Sequence, residues 1–390
     1  MRDLRILAFA AFLVVSARAQ NDCGAPTVRV ALERFSTPFE FALADDATIG
    51  DTTATFATFT KGERLTVRTA GSMIEIRTPR LRLMGTSFRI AALDADAIAW
   101  RERRYRGCLE FSASGDDALL VNVLSIDAYV RGCLPPEMGY NESPDRFEAL
   151  KAAAVAVRSF GLMKKRASAD LPYDLERDVR DQVYEGYDVE KPLHNEATDE
   201  TRGEILYHQG EPAIVFYHGS CGGATEAVER VFGSDPIPYL VSVEDGDPPN
   251  CAIKPNFEWS ARFSEPTIRK RLGAGAPVVE ILTTRAASGR VERMSFRLQN
   301  GEERTTEGQQ EIRRLFRDEK GVLMSARFRV ETVRRDGRIA TIVLRGTGSG
   351  HGVGLCQWGA IGLSQKGTTY EDILKRYFPG TEIHNLYDAD

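Results

Sequence analysis

One carboxylate in the sequence, Glu137, stands in a setting suited to acid catalysis. It lies in residues 132–138 (GCLPPEM), directly after Pro135 and Pro136, and an alanine-rich segment follows. A carboxyl group held between proline and methionine beside a buried helix is poorly solvated, and poor solvation raises its pKa. A carboxyl that keeps its proton near neutral pH can act as a general acid. The alternative is a loop carboxylate that caps the next helix or pairs with Arg158.

A second candidate segment is residues 216–226 (FYHGSCGGATE). Its paired glycines accept backbone conformations that other residues resist, and they let the chain approach a ligand closely. The candidate binding residues of this segment are His218, Ser220, Gly222, Gly223 and Thr225. The alternative is a tight turn held by a disulfide such as Cys221–Cys251, and a turn and a binding site are compatible.

A third candidate segment is residues 346–360 (GTGSGHGVGLCQWGA), in which every second residue from 346 to 354 is glycine. It lacks the Lys-Ser/Thr ending of a phosphate-binding P-loop and the context of a dinucleotide fingerprint. His351, Gln357 and Trp358 suit an uncharged, hydroxyl-rich ligand, since tryptophan can stack on a sugar face while the other two bond hydroxyls. The alternative is a buried loop whose glycines are needed only for steric reasons.

The surrounding pattern indicates which elements position these segments. Short alternating runs punctuated by Gly, Asp and Ser predict that residues 25–125 are mostly β-strand. The two prolines predict an extended loop around Glu137 that ends any preceding helix. Residues 145–165 have apolar side chains three and four apart and predict one long buried helix behind that loop. Ser143 and Pro144 fit its start.

The predicted fold class is α+β: a β-rich core, one long buried helix behind the catalytic loop and a more variable, β-rich peripheral region. A hairpin is expected around residues 205–218, and a C-terminal helix at 369–377. The predicted divisions are a signal peptide (1–19), a β-rich N-terminal part (25–125), a catalytic core (126–253), a peripheral insertion (254–342) and a C-terminal loop and helix that complete the core (343–388).

Composition narrows the class of protein. The chain has 390 residues, 42% hydrophobic and 27% charged, which excludes disordered, collagen-like and coiled-coil chains. The net charge of −5 argues against a sequence-independent nucleic-acid binder, which needs a basic surplus.

The N-terminus has the pattern of an export signal. Arg2 and Arg5 precede an apolar run at residues 6–15, and Ala17-Arg18-Ala19 fits a cleavage site. We therefore predict export to the periplasm, envelope or medium; the alternative is an uncleaved anchor. In an oxidising compartment an even number of cysteines favours disulfides. The disulfide candidates are Cys23, Cys108, Cys133, Cys221, Cys251 and Cys356.

Taken together and in order, these segments resemble the SpoIID/LytB family of stage II sporulation protein D and the amidase enhancer. The resemblance covers nearly the whole chain after the signal. It rests on residues 122–138 (NVLSIDAYVRGCLPPEM), 147–160 (FEALKAAAVAVRSF), 181–184 (DQVY), 197–207 (ATDETRGEILY), 218–226, 238–244, 346–360 and 370–381 (YEDILKRYFPGT).

The resemblance implies a protein that acts on bacterial peptidoglycan. The family's sporulation members are lytic transglycosylases that cut between N-acetylmuramic acid and N-acetylglucosamine and favour strands without stem peptides. Their catalytic glutamate lies in a Ser/Ala-Glu-Met-Pro motif, and Glu137 occupies that place. Arg158, Gln182 and Tyr184 lie in shared segments, and we predict that they contact substrate. The alternative is a non-catalytic, glycan-binding activator of a cell-wall amidase.

The sequence departs from the family beside the site. Pro136 replaces the usual Ser or Ala, and Gly139 replaces the usual Pro. Cys133 and Cys356 stand where many members have Val and Ser, and we predict a disulfide between them. Some clostridial members bind zinc through His and Cys, but only His218 and Cys221 could correspond. We therefore expect no metal and no cofactor.

Overall fold

A computed structural model describes residues 26–319 and 321–388. Helices and several separate sheets occur side by side in these residues, which confirms the β-rich α+β class. The chain divides into two compact units, residues 31–125 and residues 26–30 with 126–388. No helix among the described residues is long and apolar enough to span a membrane.

The first unit is built of strands, as predicted. In chain order they are β1 (Thr27–Ser36, whose first residues belong to the second unit), β2 (Phe39–Ala42), β3 (Ala47–Gly50), β4 (Thr55–Phe59), β5 (Arg64–Ala70), β6 (Met73–Arg77), β7 (Arg82–Gly85), β8 (Ser87–Ala92), β9 (Ala97–Trp100), β10 (Arg103–Arg106), β11 (Cys108–Ser114) and β12 (Asp117–Ser125). One sheet has the order β1-β12-β11-β8-β3-β4 and another β2-β5-β6-β7. Alternating buried positions fill a core in which Phe35, Phe41, Trp100 and Phe111 are in ring contact.

Two helices begin the second unit: α1 (Ile126–Met138) and α2 (Phe147–Ala167). The predicted extended loop at Pro135 and Pro136 is wrong, because both prolines lie inside α1. A proline cannot bond to the carbonyl four residues earlier. For Pro136 that carbonyl belongs to Gly132, and it instead accepts the backbone N–H of Glu185 at 3.1 Å. The tertiary contact therefore satisfies the group that the proline leaves free.

The long buried helix is confirmed as α2, which follows a 3₁₀ turn at Pro144–Arg146. Ser143 precedes that turn in an extended conformation, but its side chain forms no capping hydrogen bond. Small residues bring α1 and α2 together: a Cβ at Gly161 would lie 2.9 Å from the Ile126 side chain. A larger side chain at Gly161 would therefore push the two helices apart.

The remaining elements complete the second unit. They are β13 (Leu175–Glu176), α3 (Pro192–Glu200), β14 (Glu204–His208), β15 (Glu211–Pro212), β16 (Tyr217–His218), α4 (Val228–Phe232), β17 (Glu258–Ser264), α5 (Glu265–Arg271), β18 (Val278–Arg285), β19 (Val291–Leu298), β20 (Glu303–Glu307), α6 (Gln309–Leu315), β21 (Phe328–Arg335), β22 (Arg338–Thr347), β23 (Leu355–Cys356), α7 (Gln357–Ser364), α8 (Tyr370–Tyr377) and β24 (Glu382–Asn385), with 3₁₀ turns at Tyr187–Val189 and Asn250–Ile253.

Three features of this list matter for the site. The predicted hairpin holds only for its first strand: β14 pairs with the two-residue β15 rather than with residues 213–218, and β24 pairs with β14 from the other side. The short strands β16 and β23 pair in parallel. The predicted peripheral region forms two three-stranded sheets, β17-β22-β21 and β18-β19-β20, around an apolar cluster that includes Phe263, Phe296 and Phe316.

Candidate active site

Glu137 lies in the last turn of α1 and is half-buried. The backbone N–H of Val183 donates to its Oε1 at 2.8 Å, and the side-chain amide of Gln357 donates to its Oε2 at 3.3 Å. Within the described residues Glu137 forms no ion pair. Burial raises the pKa of its carboxyl above the usual value, and the hydrogen bonds from Val183 and Gln357 only partly oppose that effect.

A narrow crevice surrounds this carboxyl. It is lined by Glu137, Met138, Ala153, Val157, Tyr217, Leu355 and Gln357. The Tyr217 hydroxyl is buried and faces Glu137, where it lowers the carboxyl's pKa, although it forms no hydrogen bond of normal geometry. An apolar wall with one carboxyl and one phenol is a low-dielectric setting for proton transfer.

The parallel pair β16–β23 positions two of these side chains. Tyr217 lies opposite Leu355, and His218 lies opposite Cys356. Successive residues of a strand point to opposite faces, so Tyr217 faces Glu137 while His218 faces away. Gln357 follows directly as the first residue of α7. Residues far apart in the sequence thus meet because two short strands align.

The alternating glycines allow this close approach. A Cβ at Gly354 would lie 2.1 Å from the Phe216 carbonyl oxygen, and one at Gly348 would lie 2.6 Å from the Ser220 carbonyl oxygen. Both glycines also have positive φ angles. The steric interpretation of this segment therefore holds for these glycines.

Two predicted binding histidines serve the scaffold. His351 Nδ1 accepts the N–H of Val353, so its Nε2 carries the proton and donates to the Tyr217 carbonyl at 2.9 Å. His218 Nδ1 donates to the Val353 carbonyl at 3.1 Å, which leaves its Nε2 unprotonated and without a partner among the described residues. Burial lowers the pKa of His351 to about 3 and that of His218 well below its usual value, so both rings are neutral.

Several other predicted binding residues lie in the interior. Arg158 is fully buried and bonds to Asp127, so it does not pair with Glu137 and is not placed to contact a glycan. Gln182 accepts the Tyr129 hydroxyl at 2.7 Å, and Tyr184 stacks on the Tyr129 ring. Their burial against protein groups gives them the role of supporting α1.

The turn at residues 216–226 is likewise held by its own bonds. Thr225 is buried and donates to the Val241 carbonyl at 3.0 Å. Ser220 exchanges backbone hydrogen bonds with Ser349. Gly222 and Gly223 have φ angles of 81° and 135°, which other residues rarely adopt. The turn interpretation describes these residues better than direct contact with a ligand.

Gln357 and Trp358 are the predicted binding residues that remain partly exposed near Glu137. The backbone N–H of Trp358 donates to the Gly219 carbonyl at 3.0 Å, and the Arg146 guanidinium lies 5.7 Å from the centre of the Trp358 ring. The Trp358 side chain is partly exposed, so stacking on a sugar stays a prediction for it.

The predicted disulfide Cys133–Cys356 is not formed. Both cysteines carry free thiols, and so do Cys108, Cys221 and Cys251; Cys23 lies outside the described residues. Cys133 lies in α1 beside Tyr129, whereas the Cys356 sulfur points toward Cys221 and accepts its backbone N–H at 3.2 Å. The two sulfurs therefore belong to different environments.

Sequence reasoning missed two contributors to the site. Tyr217 stands one residue before the predicted His218, and the alternation of a strand is the signal that could have found it. The backbone N–H of Val183 has no side-chain signature, so only the folded chain shows that it bonds to Glu137.

Comparisons with known proteins identify related sequences. Residues 114–208 match the family described as stage II sporulation protein (SpoIID), and residues 250–354 match a domain of unknown function, DUF8618. An uncharacterized protein of Brachyspira hyodysenteriae is 33% identical over 286 residues, covering 72% of this chain and 72% of that protein.

Two relatives from Bacillus subtilis have descriptive names. Stage II sporulation protein D is 29% identical over 281 residues, which are 67% of this chain and 75% of that protein. The amidase enhancer is 25% identical over 295 residues, 65% of this chain and 40% of the enhancer. The family model and the relatives agree, and the chain belongs to the SpoIID/LytB family.

Proposed function

We propose that this protein is an exported lytic transglycosylase that cuts peptidoglycan glycan strands with Glu137 as its acid. The observation that carries the proposal is the environment of that carboxyl. Glu137 holds the family's glutamate position, lies in a narrow apolar crevice and has a raised pKa. A carboxyl in these surroundings keeps its proton at a pH where an exposed glutamate has lost it.

A single carboxyl is sufficient for this reaction. Protonated Glu137 gives its proton to the oxygen that bridges the two sugars, and the bond from that oxygen to C1 of N-acetylmuramic acid breaks. The C6 hydroxyl of the same sugar attacks C1, and ionised Glu137 accepts the hydroxyl proton. The products are a 1,6-anhydro end and a free hydroxyl on the leaving sugar, and Glu137 regains its proton.

Two hydrogen-bond donors beside Glu137 support the carboxylate form. The N–H groups of Val183 and Gln357 stabilise the carboxylate that forms after proton transfer. Glu137 is the only carboxylate among the described residues that line the crevice. A hydrolase that uses two carboxylates would need a second one at a fixed separation, and the crevice does not supply it.

Export belongs to the proposal as well. Residues 1–19, which have the pattern of a signal peptide, lie outside the described residues. Peptidoglycan lies beyond the cytoplasmic membrane, so the protein must be exported to reach the proposed substrate. The proposed signal peptide would provide that export.

A second candidate function is glycan-dependent activation of a cell-wall amidase. It is supported by the similarity to the amidase enhancer and by the backbone after Glu137. Gly139, which stands where the family usually has proline, has a φ angle of +79°. Proline is restricted to φ near −65°, so the chain leaves the glutamate along a path that proline could not follow.

The test is mass spectrometry of fragments released from peptide-free glycan strands by the wild-type protein, Glu137→Gln and an exposed control, Glu211→Gln. Anhydro-ended fragments from the wild type and the control, but not from Glu137→Gln, support the transglycosylase. Reducing ends would contradict it and indicate a hydrolase. Bound strands without any cleavage would favour the activator, which a purified amidase assayed with and without this protein would then test.

A further inference from the structure

Four buried side chains from separate segments of the second unit converge on one point. The sulfurs of Cys221, Cys251 and Cys356 and a carboxylate oxygen of Asp245 all lie within 4.8 Å of one another. Cys221 belongs to the glycine turn (residues 216–226), Cys251 belongs to a 3₁₀ turn, and Cys356 is the N-cap of α7. None of these side chains takes part in the proposed cleavage reaction.

The spacing of the sulfurs is that of metal ligands. Cys221 Sγ and Cys251 Sγ are 3.5 Å apart, whereas a disulfide joins its sulfurs at about 2.05 Å. A tetrahedral zinc ion with Zn–S bonds of ~2.3 Å separates its sulfur ligands by about 3.8 Å. A disulfide joins two thiols, so disulfides within the cluster would leave one of the three thiols unpaired. Three thiolates and one carboxylate, in contrast, complete a four-coordinate zinc site.

The groups around the cluster are arranged to hold thiolates. Cys356 Sγ accepts the N–H groups of Cys221 and Gly359 at 3.2 and 3.3 Å, and Cys221 Sγ accepts that of Gly223 at 3.4 Å. Hydrogen bonds of this kind orient metal ligands and stabilise their charge.

The carboxylate is oriented in the same way. The Tyr377 hydroxyl donates to Asp245 Oδ1 at 2.5 Å, and the Cys251 N–H donates to Oδ2 at 2.8 Å. Arg290 is fully buried and donates to the Cys221 carbonyl at 3.0 Å, which brings a positive charge close to the cluster. That charge offsets part of the negative charge that a Cys₃Asp site keeps after it binds a divalent ion.

We propose that Cys221, Asp245, Cys251 and Cys356 bind one Zn²⁺ ion as a closed structural site. Thiolates select zinc over magnesium or calcium, and four protein ligands leave no open position for substrate. The ion ties the glycine turn to the start of α7. Because Gln357 follows Cys356 directly, it also fixes the backbone that presents Gln357 to Glu137. This proposal revises the expectation of no metal and is independent of whether the protein cleaves glycan.

The experiment starts from the full chain, exported and purified without added metal or reductant. Metal content is measured by plasma mass spectrometry and thiol pairing by non-reducing peptide mapping. The metal is then replaced by Co²⁺, whose thiolate charge-transfer absorption reports the ligands. The expected result is one zinc per chain, no disulfide within the cluster, and a thiolate–Co²⁺ spectrum.

Variants test which side chains contribute to metal binding. Tyr377→Phe keeps all four ligands but removes a hydrogen bond to Asp245, and we expect metal affinity to fall by ~10–100-fold. Asp245→Asn should weaken binding at least as much. Cys108→Ser, in the first unit, is the matched cysteine control and should bind metal like the wild type. Removal of the metal by a chelator should lower the thermal transition, because binding free energy adds to folding free energy.

Three results would overturn the proposal. They are a disulfide between any two of the three cysteines in the protein as purified, a metal affinity that Asp245→Asn and Tyr377→Phe leave unchanged, and a Co²⁺ spectrum without thiolate bands. Activity on glycan plays no part in this outcome, so a failed cleavage assay and a failed metal site remain distinguishable.

Discussion

The two ends of α1 carry two acidic side chains in opposite circumstances. At the first turn, Asp127 is bonded to Arg158 at 2.7 Å and also accepts the Tyr387 hydroxyl. At the last turn, Glu137 has two N–H donors, a phenol and apolar walls, but no ion-pair partner among the described residues. A carboxylate bonded to a buried guanidinium holds the structure together, whereas one without an ion-pair partner is free to exchange its proton with a substrate.

The largest expected effect comes from removing the unpaired acid. Glu137→Gln keeps the side-chain volume but has no proton to transfer, so glycan cleavage should fall by ~10²–10⁴-fold while the protein stays folded. Initial rates of anhydro-product formation and circular dichroism of the same samples measure the two quantities. Near-normal turnover would show that Glu137 is not the acid. Asp127 and Glu137, at the two ends of α1, would then not differ in function as proposed.

The next effect concerns stability at the paired end. Arg158→Met leaves Asp127 buried without its cation, and we expect the free energy of unfolding to fall by about 3–5 kcal/mol. Urea denaturation followed by fluorescence measures it. Arg180→Met is the matched control, because Arg180 pairs with Asp178 on the surface and surface pairs contribute little. If both substitutions lower the free energy of unfolding equally little, the Asp127–Arg158 pair stabilises the fold no more than a surface pair does.

A smaller effect should appear in the pH profile. If Glu137 acts as the acid, cleavage declines as the pH rises through its raised pKa. Gln357→Leu removes a donor that favours the carboxylate, so the pKa should rise further and the alkaline limb of kcat/KM should move to higher pH. Gln365→Leu is the control, because Gln365 is exposed and lies at the C-terminal end of α7, the helix that begins with Gln357. A limb that stays in place, or moves to lower pH, would contradict the contact with Gln357.

The smallest effect is a pH-dependent difference in stability. A carboxyl whose pKa is raised by folding adds stability at low pH and loses it as the pH rises through the folded-state pKa. Wild type should therefore lose stability over that range relative to Glu137→Gln. The thermal transition temperature of the wild type minus that of the variant should fall from acid to alkaline pH. Scanning calorimetry across pH values measures it, with Glu211→Gln as the exposed control. A constant difference would mean that the Glu137 pKa is not raised.

Local pattern predicted much of the scaffold. Alternating apolar residues gave the strands of the first unit, and apolar residues three and four apart gave α2, because these periods follow from backbone geometry. The same local reading placed Pro135 and Pro136 in an extended loop. It failed because a distant N–H, that of Glu185, satisfies the carbonyl of Gly132.

The sequence by itself determined the strands of the first unit and α2, the motif order that identifies the family, and Glu137 as the candidate acid. Tertiary structure alone decided that Arg158 pairs with Asp127, that Tyr217 faces Glu137 and that Cys356 meets Cys221 rather than Cys133. The physical reason is that periodicity records which face of an element is buried. Which groups meet on that face depends on strand register and on the close approach that glycine allows. These bring together residues as distant in the sequence as Cys221 and Cys356.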